Sequence, residues 1–412
     1  MTRNHTSPIA VAALALGAAM GANAQYVALA GFRTTGDLDT TFGNNGRNVL
    51  AFPGMATAMA LDSKGRIVVV GTASGPQIVL ARYQNGGKTI DTTFGNNGFV
   101  MTNIPGGARG NAVALAAGDT IVVAGGMNGG FGVIGFSEAG VQQVPQNCPS
   151  VTAADWRGEA FALSIASDGR VVAAGANYLN TRFVAARFTA DGCKDPSFYW
   201  GQAIHSLDVS FGATQNWQAG KAVAIDGSGR ILVAGPLWTT SEGGGGVLMA
   251  VVRFDANGFA DTTYGFSAVA YAVLDTSRTP AEFRDAANTI VVHNGHASVA
   301  GNYQGPKLAR FNANGVNTYL TDAVVAPRSL IVSPDDSALL VGGSTGSTKF
   351  GLAELNFNGA PVLSFGNAGV ASVDANCSMA NYIAGIANQF LGTTFGWWRT
   401  VAAGPSGPNG CH

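Results

Sequence analysis

Charge is scarce in this chain. Of its 412 residues only 11% are Asp, Glu, Lys or Arg, and the formal net charge is −1. There is no basic excess and no run of Lys or Arg, so the electrostatic footprint of a nucleic-acid binder is missing. Histidine is equally sparse. Past the N-terminal leader only His205, His293, His296 and His412 remain, which leaves few imidazoles for proton transfer. The pair His293 and His296 brackets a tight turn, but two ligands in a hairpin do not complete a metal site. Cysteine occurs four times, with no C-x-x-C or Cys–His spacing to suggest zinc. No G-x-S-x-G, H-E-x-x-H or Walker sequence occurs. The run Gly243–Gly246 lacks the Lys and following helix of a phosphate loop and reads as flexible chain. These absences exclude no reaction outright, yet they name none, and no cofactor is expected. No later run approaches the roughly 18 apolar residues that span a bilayer, so membrane insertion is not expected.

What is abundant is apolar residue and glycine: 47% of the chain is hydrophobic, and Gly occurs 58 times. That pairing suits many short strands joined by tight turns. The first residues combine Arg3, the apolar stretch Ile9–Ala19 and the small-residue site Ala22-Asn23-Ala24. This is the pattern of a secretory signal, with a mature start at Gln25 and a periplasmic or extracellular destination. In an exported chain the even cysteine count suggests disulfides. Four cysteines allow three pairings, and proximity in sequence favours Cys148–Cys193 and Cys377–Cys411.

Leu38–Gly46 reads LDTTFGNNG, and Ile90–Gly98, fifty-two positions later (90 − 38), reads IDTTFGNNG. Between them lie the apolar run Met59–Leu61, the turn Asp62-Ser63-Lys64-Gly65-Arg66 and the run Ile67-Val68-Val69-Val70-Gly71. Ile78–Tyr83 and the turn Asn85-Gly86-Gly87 follow. The second run recurs with its closing glycine at Gly125, Gly175, Gly235, Gly301 and Gly343. The Arg-aromatic ending recurs at Arg187-Phe188, Arg253-Phe254 and Arg310-Phe311. Turn glycines fall at Gly36, Gly87, Gly140, Gly192, Gly258, Gly315 and Gly359. A period near 52 residues carrying about four strands is the signature of propeller blades. The nonamer itself serves as turn punctuation: Asp accepts backbone N–H groups, Phe anchors, and Gly supplies φ > 0. A calcium reading of Asp37, Asp39, Asn44 and Asn45 lacks the acidic density of a dedicated loop.

This motif set resembles the delta-60 repeat family of bacterial exported, β-propeller-like proteins. LDTTFGNNG, IDTTFGNNG, the D-x-x-G-R-I turn and the VVAG run carry the likeness, which covers nearly all of the mature chain. It implies a fold and no shared activity. Later units drift: Asp195-Pro196-Ser197-Phe198 and Asp261-Thr262-Thr263-Tyr264 keep the acid and the aromatic, while Leu363-Ser364-Phe365-Gly366 has lost the acid.

The expected fold is therefore an all-β, seven-bladed β-propeller of four-stranded antiparallel blades. After the signal peptide at 1–24, residues 25–412 form a single domain. Blades are expected at about 38–89, 90–140, 141–192, 193–258, 259–315, 316–360 and 361–412, with strand 26–33 completing the last. An N-terminal strand closing the final blade protects edges that would otherwise be exposed, although residues near Arg399 offer a local alternative.

The turns Ser63–Arg66, Ser167–Arg170 and Gly227–Arg230 are short and uniform, whereas the loops on the other side of each unit vary greatly in length. Binding residues gather on variable loops held by a regular scaffold. Just before successive strands lie Arg109, Trp156, Arg157, Glu159, Trp217, Lys221, Arg284, Asp285 and Arg328, and Trp238 opens the longest loop. Arg forks suit oxyanions and indoles suit stacking. The leading reading is an exported, non-catalytic binder of a small molecule, glycan or protein, expected to be a monomer. A propeller lyase or hydrolase acting on a carbohydrate or lactone, and a structural envelope protein, are the alternatives.

Overall fold

The computed structural model describes residues 26–84, 86–143, 148, 152–177, 182–209, 215–240, 246–275, 286–323, 325–345, 349–374, 385–390 and 398–406. The leader, Arg284, Asp285, Cys377 and Cys411 lie outside them, as do the side chains of Trp156 and Trp217. Among the described residues the molecule is all β, apart from one 3-10 turn at Ala117–Asp119. It is a β-propeller.

Antiparallel four-stranded sheets recur along the chain. Met55–Leu61, Ile67–Ala73 and Gln77–Gln84 pair in order, and the outer position is shared by Thr89–Ile90 and Phe99–Met101. The same order holds for Thr289–His293, His296–Asn302, Pro306–Phe311 and Asn317–Asp322. It holds again for Ala326–Val332, Ala338–Thr345, Lys349–Asn356 and Val370–Asp374. The long strand Thr152–Ile165 serves two units. Its start lies along Gly130–Phe136 and its end along Val171–Asn177, which fuses two units into one eight-stranded sheet. First strands of successive sheets contact one another, and Gly385–Phe390 meets Met55–Leu61.

This layout explains why the apolar runs do not alternate. Val68 and Val70 pack towards Val113 and Val123 on one side, while Val69 and Ile67 pack towards Val27 and Val401 on the other. A strand covered on both faces gains from burying every residue. The turn after the first strand is equally readable. Asp62 Oδ1 accepts the N–H groups of Lys64 at 3.0 Å and Arg66 at 2.8 Å, and Arg66 Nε donates to Asp62 Oδ2 at 2.5 Å. Asp226 and Arg230 repeat the pattern. Cys148 and Cys193 form a disulfide with Cα atoms 5.8 Å apart, closing a 45-residue separation worth about 4 kcal/mol in the chain-entropy picture.

The strand order places the nonamer between the third strand and the outer one, and not at the start of a unit. There it clamps neighbouring sheets together. Asp91 Oδ1 accepts from Thr93 Oγ1 at 2.6 Å, and Asp91 Oδ2 accepts from Arg82 Nε at 2.8 Å. Arg82 also donates to the carbonyl of Glu138 in the next unit, and its guanidinium lies 4.7 Å from the Phe94 ring centre. Arg187, Asp195, Ser197 and Phe198 build the same clamp, as do Arg253, Asp261, Thr263 and Tyr264. The turn glycine of the following unit completes it. A Cβ on Gly87 would lie 2.5 Å from Phe42 Cζ, and Gly87 adopts φ +78°. Asp91, Asp195 and Asp261 thus hold the arginines that reach across to the next unit.

Candidate functional site

Four of the first strands start with a defect. The register shifts between Ala56 and Ala58, Gly110 and Ala112, Ala160 and Ala162, and Pro327 and Ser329. One extra residue stands at each shift: Thr57, Asn111, Phe161 and Arg328. Such bulges bend the strand and re-aim a side chain. The bulge pushes a carbonyl against the paired second strand, where only glycine fits. A Cβ on Gly71, Gly125, Gly175, Gly235, Gly301 or Gly343 would come within 2.2 Å of a carbonyl oxygen. Those oxygens belong to Met55, Arg109, Glu159, Ala219, Ala286 and Ala326, respectively. The recurrent VVAG glycine is therefore the imprint of the bulge. Counting two residues on from each carbonyl puts Lys221 and Asn288 in the same place as Thr57, Asn111, Phe161 and Arg328.

First strands of adjacent sheets touch, so these six side chains form a series around the middle of the molecule, beside the variable loops. Some close the gap to the next sheet. Thr57 Oγ1 donates to Gly110 O at 2.6 Å, and Asn111 Nδ2 donates to Ala160 O at 2.8 Å. Each acceptor is the residue just before the next bulge. Asn111 also donates to Glu159 Oε1 at 2.8 Å. Lys221 is buried, with Nζ 3.7 Å from the Phe161 ring centre, a cation–π contact from one unit to its neighbour.

Asn288 breaks the series. It is 1% exposed, and among the described residues neither Oδ1 nor Nδ2 has a hydrogen-bond partner; the buried Thr289 Oγ1 beside it also lacks one. Buried amides are rarely left without a partner in folded proteins, so this position stands out from the rest of the series. In unit order Asn288 stands between Lys221 and Arg328.

The remaining expected residues are placed as follows. Arg109 and Arg157 are exposed, while Glu159 and Arg328 are half-buried. Trp156 lies on the shared strand Thr152–Ile165, opposite the variable-loop end of Gly130–Phe136. Trp217 pairs in register with Trp238 on an extended ladder. Trp238 is half-buried against Val247, Ala286 and Tyr303, which makes it part of a small packed cluster. Lys221, Arg328 and the Asn111–Glu159 pair are brought to the bulge series; Trp238 is not. Reading the sequence for residue type missed Phe161 and Asn288. The signal that finds them is spacing from the VVAG glycine. It is 14 residues at Thr57, Asn111, Phe161 and Lys221 (for example 71 − 57), 13 at Asn288 and 15 at Arg328.

No curated protein matches this chain. Among solved structures, it is similar to a protein of unknown function from Bacteroides caccae, at 14% identity and TM-score 0.39. That alignment covers 75% of this chain and 98% of the other. A protein from Lactobacillus plantarum aligns at 14% identity and TM-score 0.45, covering 85% and 99%. The WD40 beta propeller domain of Doa1 aligns at 11% identity and TM-score 0.41, covering 83% and 90%. In sequence, residues 166–198 and 227–264 are similar to the family described as Domain of unknown function (DUF5122) beta-propeller.

Proposed function

We propose that this chain is an exported seven-bladed β-propeller, closed by its N-terminal strand, that captures a ligand at the loop-bearing mouth of its central opening without turning it over. Seven units are supported by the strand order once the shared strand Thr152–Ile165 is counted for both of its sheets. Closure is supported by Tyr26–Arg33, which pairs with Trp398–Ser406 on one side and Arg47–Ala51 on the other. Gly366 N also donates to Thr35 O at 2.7 Å, the same link that Gly95 N makes to Ala139 O elsewhere. Export is supported by the leader pattern around Arg3 and Ile9–Ala19 and by the Cys148–Cys193 disulfide. The further delta-60 likeness rests on the repeated nonamer, the D-x-x-G-R-I turn and the VVAG run.

The observation that carries the binding reading is the unpartnered amide of Asn288, buried between the units that supply Lys221 and Arg328. Two cations and an amide suit a ligand that presents an oxyanion, such as a carboxylate. Glu159 is a carboxylate beside the bulge series. Asn111 holds it, which favours capture over paired-carboxylate chemistry.

Asn288→Leu separates the two roles. It removes an unsatisfied buried group, so the melting temperature is expected to stay level or rise. Ligand-induced thermal shifts in a screen of metabolites and glycans are expected to disappear. Trp156→Ala with Arg157→Ala is expected to weaken capture with little change in melting. A clear loss of stability in Asn288→Leu, or a screen in which the native protein responds to nothing, contradicts this reading.

A further inference from the structure

The nonamer turns lie on the side opposite the variable loops, and one of them is built differently. In four units the residue after the buried aromatic is glycine in a left-handed conformation: Gly43, Gly95, Gly265 and Gly366, with φ between +52° and +55°. In the third unit the equivalent residue is Tyr199, at φ +42°, followed by Trp200 at φ +53°. The equivalence is fixed by hydrogen bonding. Tyr199 N donates to Asn257 O at 2.8 Å, as Gly95 N does to Ala139 O at 2.9 Å and Gly265 N to Asn314 O at 2.8 Å. Left-handed backbone disfavours side chains with a Cβ, so two consecutive aromatics there are held against a conformational cost. Such outliers persist where the surroundings enforce them, and they gather at functional sites.

The surroundings do enforce this one. Tyr199 stacks on His205 with ring centres 3.7 Å apart, and His205 Nδ1 is tied to Gly258 O at 2.6 Å. Burial lowers the His205 pKa, which favours its neutral form. Trp200 meets Phe259 edge-on at 5.0 Å and Tyr199 at 4.8 Å. Yet Trp200 itself is 76% exposed. A large aromatic, held by two aromatic neighbours and offered to water, is pre-organised for a partner and loses little freedom on binding. The next unit repeats the display. Phe266, the residue after Gly265, is 67% exposed, where other units carry Asn44, Asn96 or Asn367. Across Phe198–Ala203 and Tyr264–Ala268 there is no carboxylate and no cation. Exposed Gln202 and Ser267 supply neutral polar edges.

We infer that Trp200, with Phe266 one unit away, forms a stacking platform for a neutral polysaccharide, whose sugar rings present apolar faces and uncharged hydroxyls. Repetition of the aromatic display in consecutive units fits a polymer of repeating rings better than a single small molecule. The absence of charge in both turns disfavours acidic glycans and ionic peptides. This site is separate from the loop-bearing mouth.

The test is titration of the purified mature chain with cellohexaose, mannohexaose and chitohexaose, followed by calorimetry and tryptophan fluorescence. At least one of the three is expected to bind with a change in fluorescence. Trp200→Ala is expected to weaken that binding tenfold or more with an unchanged melting temperature. Trp200→Phe should recover part of it, and Asn288→Leu should leave it intact. Binding by none of the three sugars overturns the inference, as does equal binding by Trp200→Ala. Trp200-dependent self-association in sedimentation without sugar binding would assign the platform to a protein interface and overturn it equally.

Discussion

Phe94→Ala is expected to lower the free energy of unfolding by about 3–5 kcal/mol, measured by urea denaturation. The ring is fully buried and belongs to the core cluster that joins the Ile67–Ala73 sheet to the Ile121–Met127 sheet. One face meets the Arg82 guanidinium, and its edge touches Gly140 of the next unit, where an added Cβ would lie 2.9 Å from Phe94 Cε2. Alanine therefore opens a cavity between two sheets and also removes the surface on which the arginine rests. Neighbouring side chains cannot collapse into it freely, because the turn backbone is pinned by Gly95 N donating to Ala139 O. Phe42→Ala should behave alike. A loss below about 1 kcal/mol at either site would reject the anchoring role.

Arg187→Met should cost a comparable amount, about 3–5 kcal/mol near neutral pH, because it strands a buried carboxylate. Arg187 and Asp195 are each about 3% exposed, with Nε and Oδ2 2.6 Å apart. Burial alone would raise the Asp195 pKa. The hydrogen bonds from Ser197 and the Arg187 guanidinium outweigh it and hold the value below the ordinary one. Asp91 and Asp261 are shifted in the same direction by the same kinds of partner. A carboxyl whose folded pKa is depressed stabilises the fold above its unfolded pKa of about 3.9. That contribution is lost as the pH falls through the lower folded value. The native protein should thus weaken steeply below about pH 4, while the deficit of Arg187→Met should shrink there, since its stranded carboxyl can take up a proton. A deficit that is constant from pH 7 to pH 3 would contradict the clamp.

The chain contains its own comparison. Glu354 occupies the place of Arg82 and Arg187, and Val362 occupies the place of Asp91, as Val362 N donating to Glu354 O at 2.9 Å shows. Both partners of the pair have changed together. No charge is left buried opposite Glu354, whose pKa is raised by burial and then by Asp335. In the unit that contains the N-terminal strand, Gly31 replaces the arginine and Phe42 fills its space, 2.6 Å from where a Cβ would stand.

Much of the fold could be read from residues because each repeated feature has a local cause. The Val-rich runs, the Asp62-type turns and the glycines against aromatic rings are all decided within a unit or at its nearest neighbour. The phase of the unit was not readable. A period of 52 residues looks the same wherever it is cut, and the nonamer bridges two sheets, so no composition change marks the boundary. The candidate site was legible in part. Lys221 and Arg328 stand out by charge, but Asn288 lies in a run that reads as an ordinary strand start. Its meaning emerges only when the bulge is aligned through Gly301. Trp200 was hidden for another reason, since its turn keeps the aspartate and phenylalanine of the nonamer but not the glycines that advertise it.

Hydrogen exchange of the Tyr26–Arg33 amides tests the circular arrangement most directly. If this segment is the third strand of the last blade, its amides should be protected to the same degree as those of Ile67–Ala73 and open only with global unfolding. Exchange of Val27–Phe32 within seconds, as in a loose terminus, would show that the ring is closed in some other way or not closed at all.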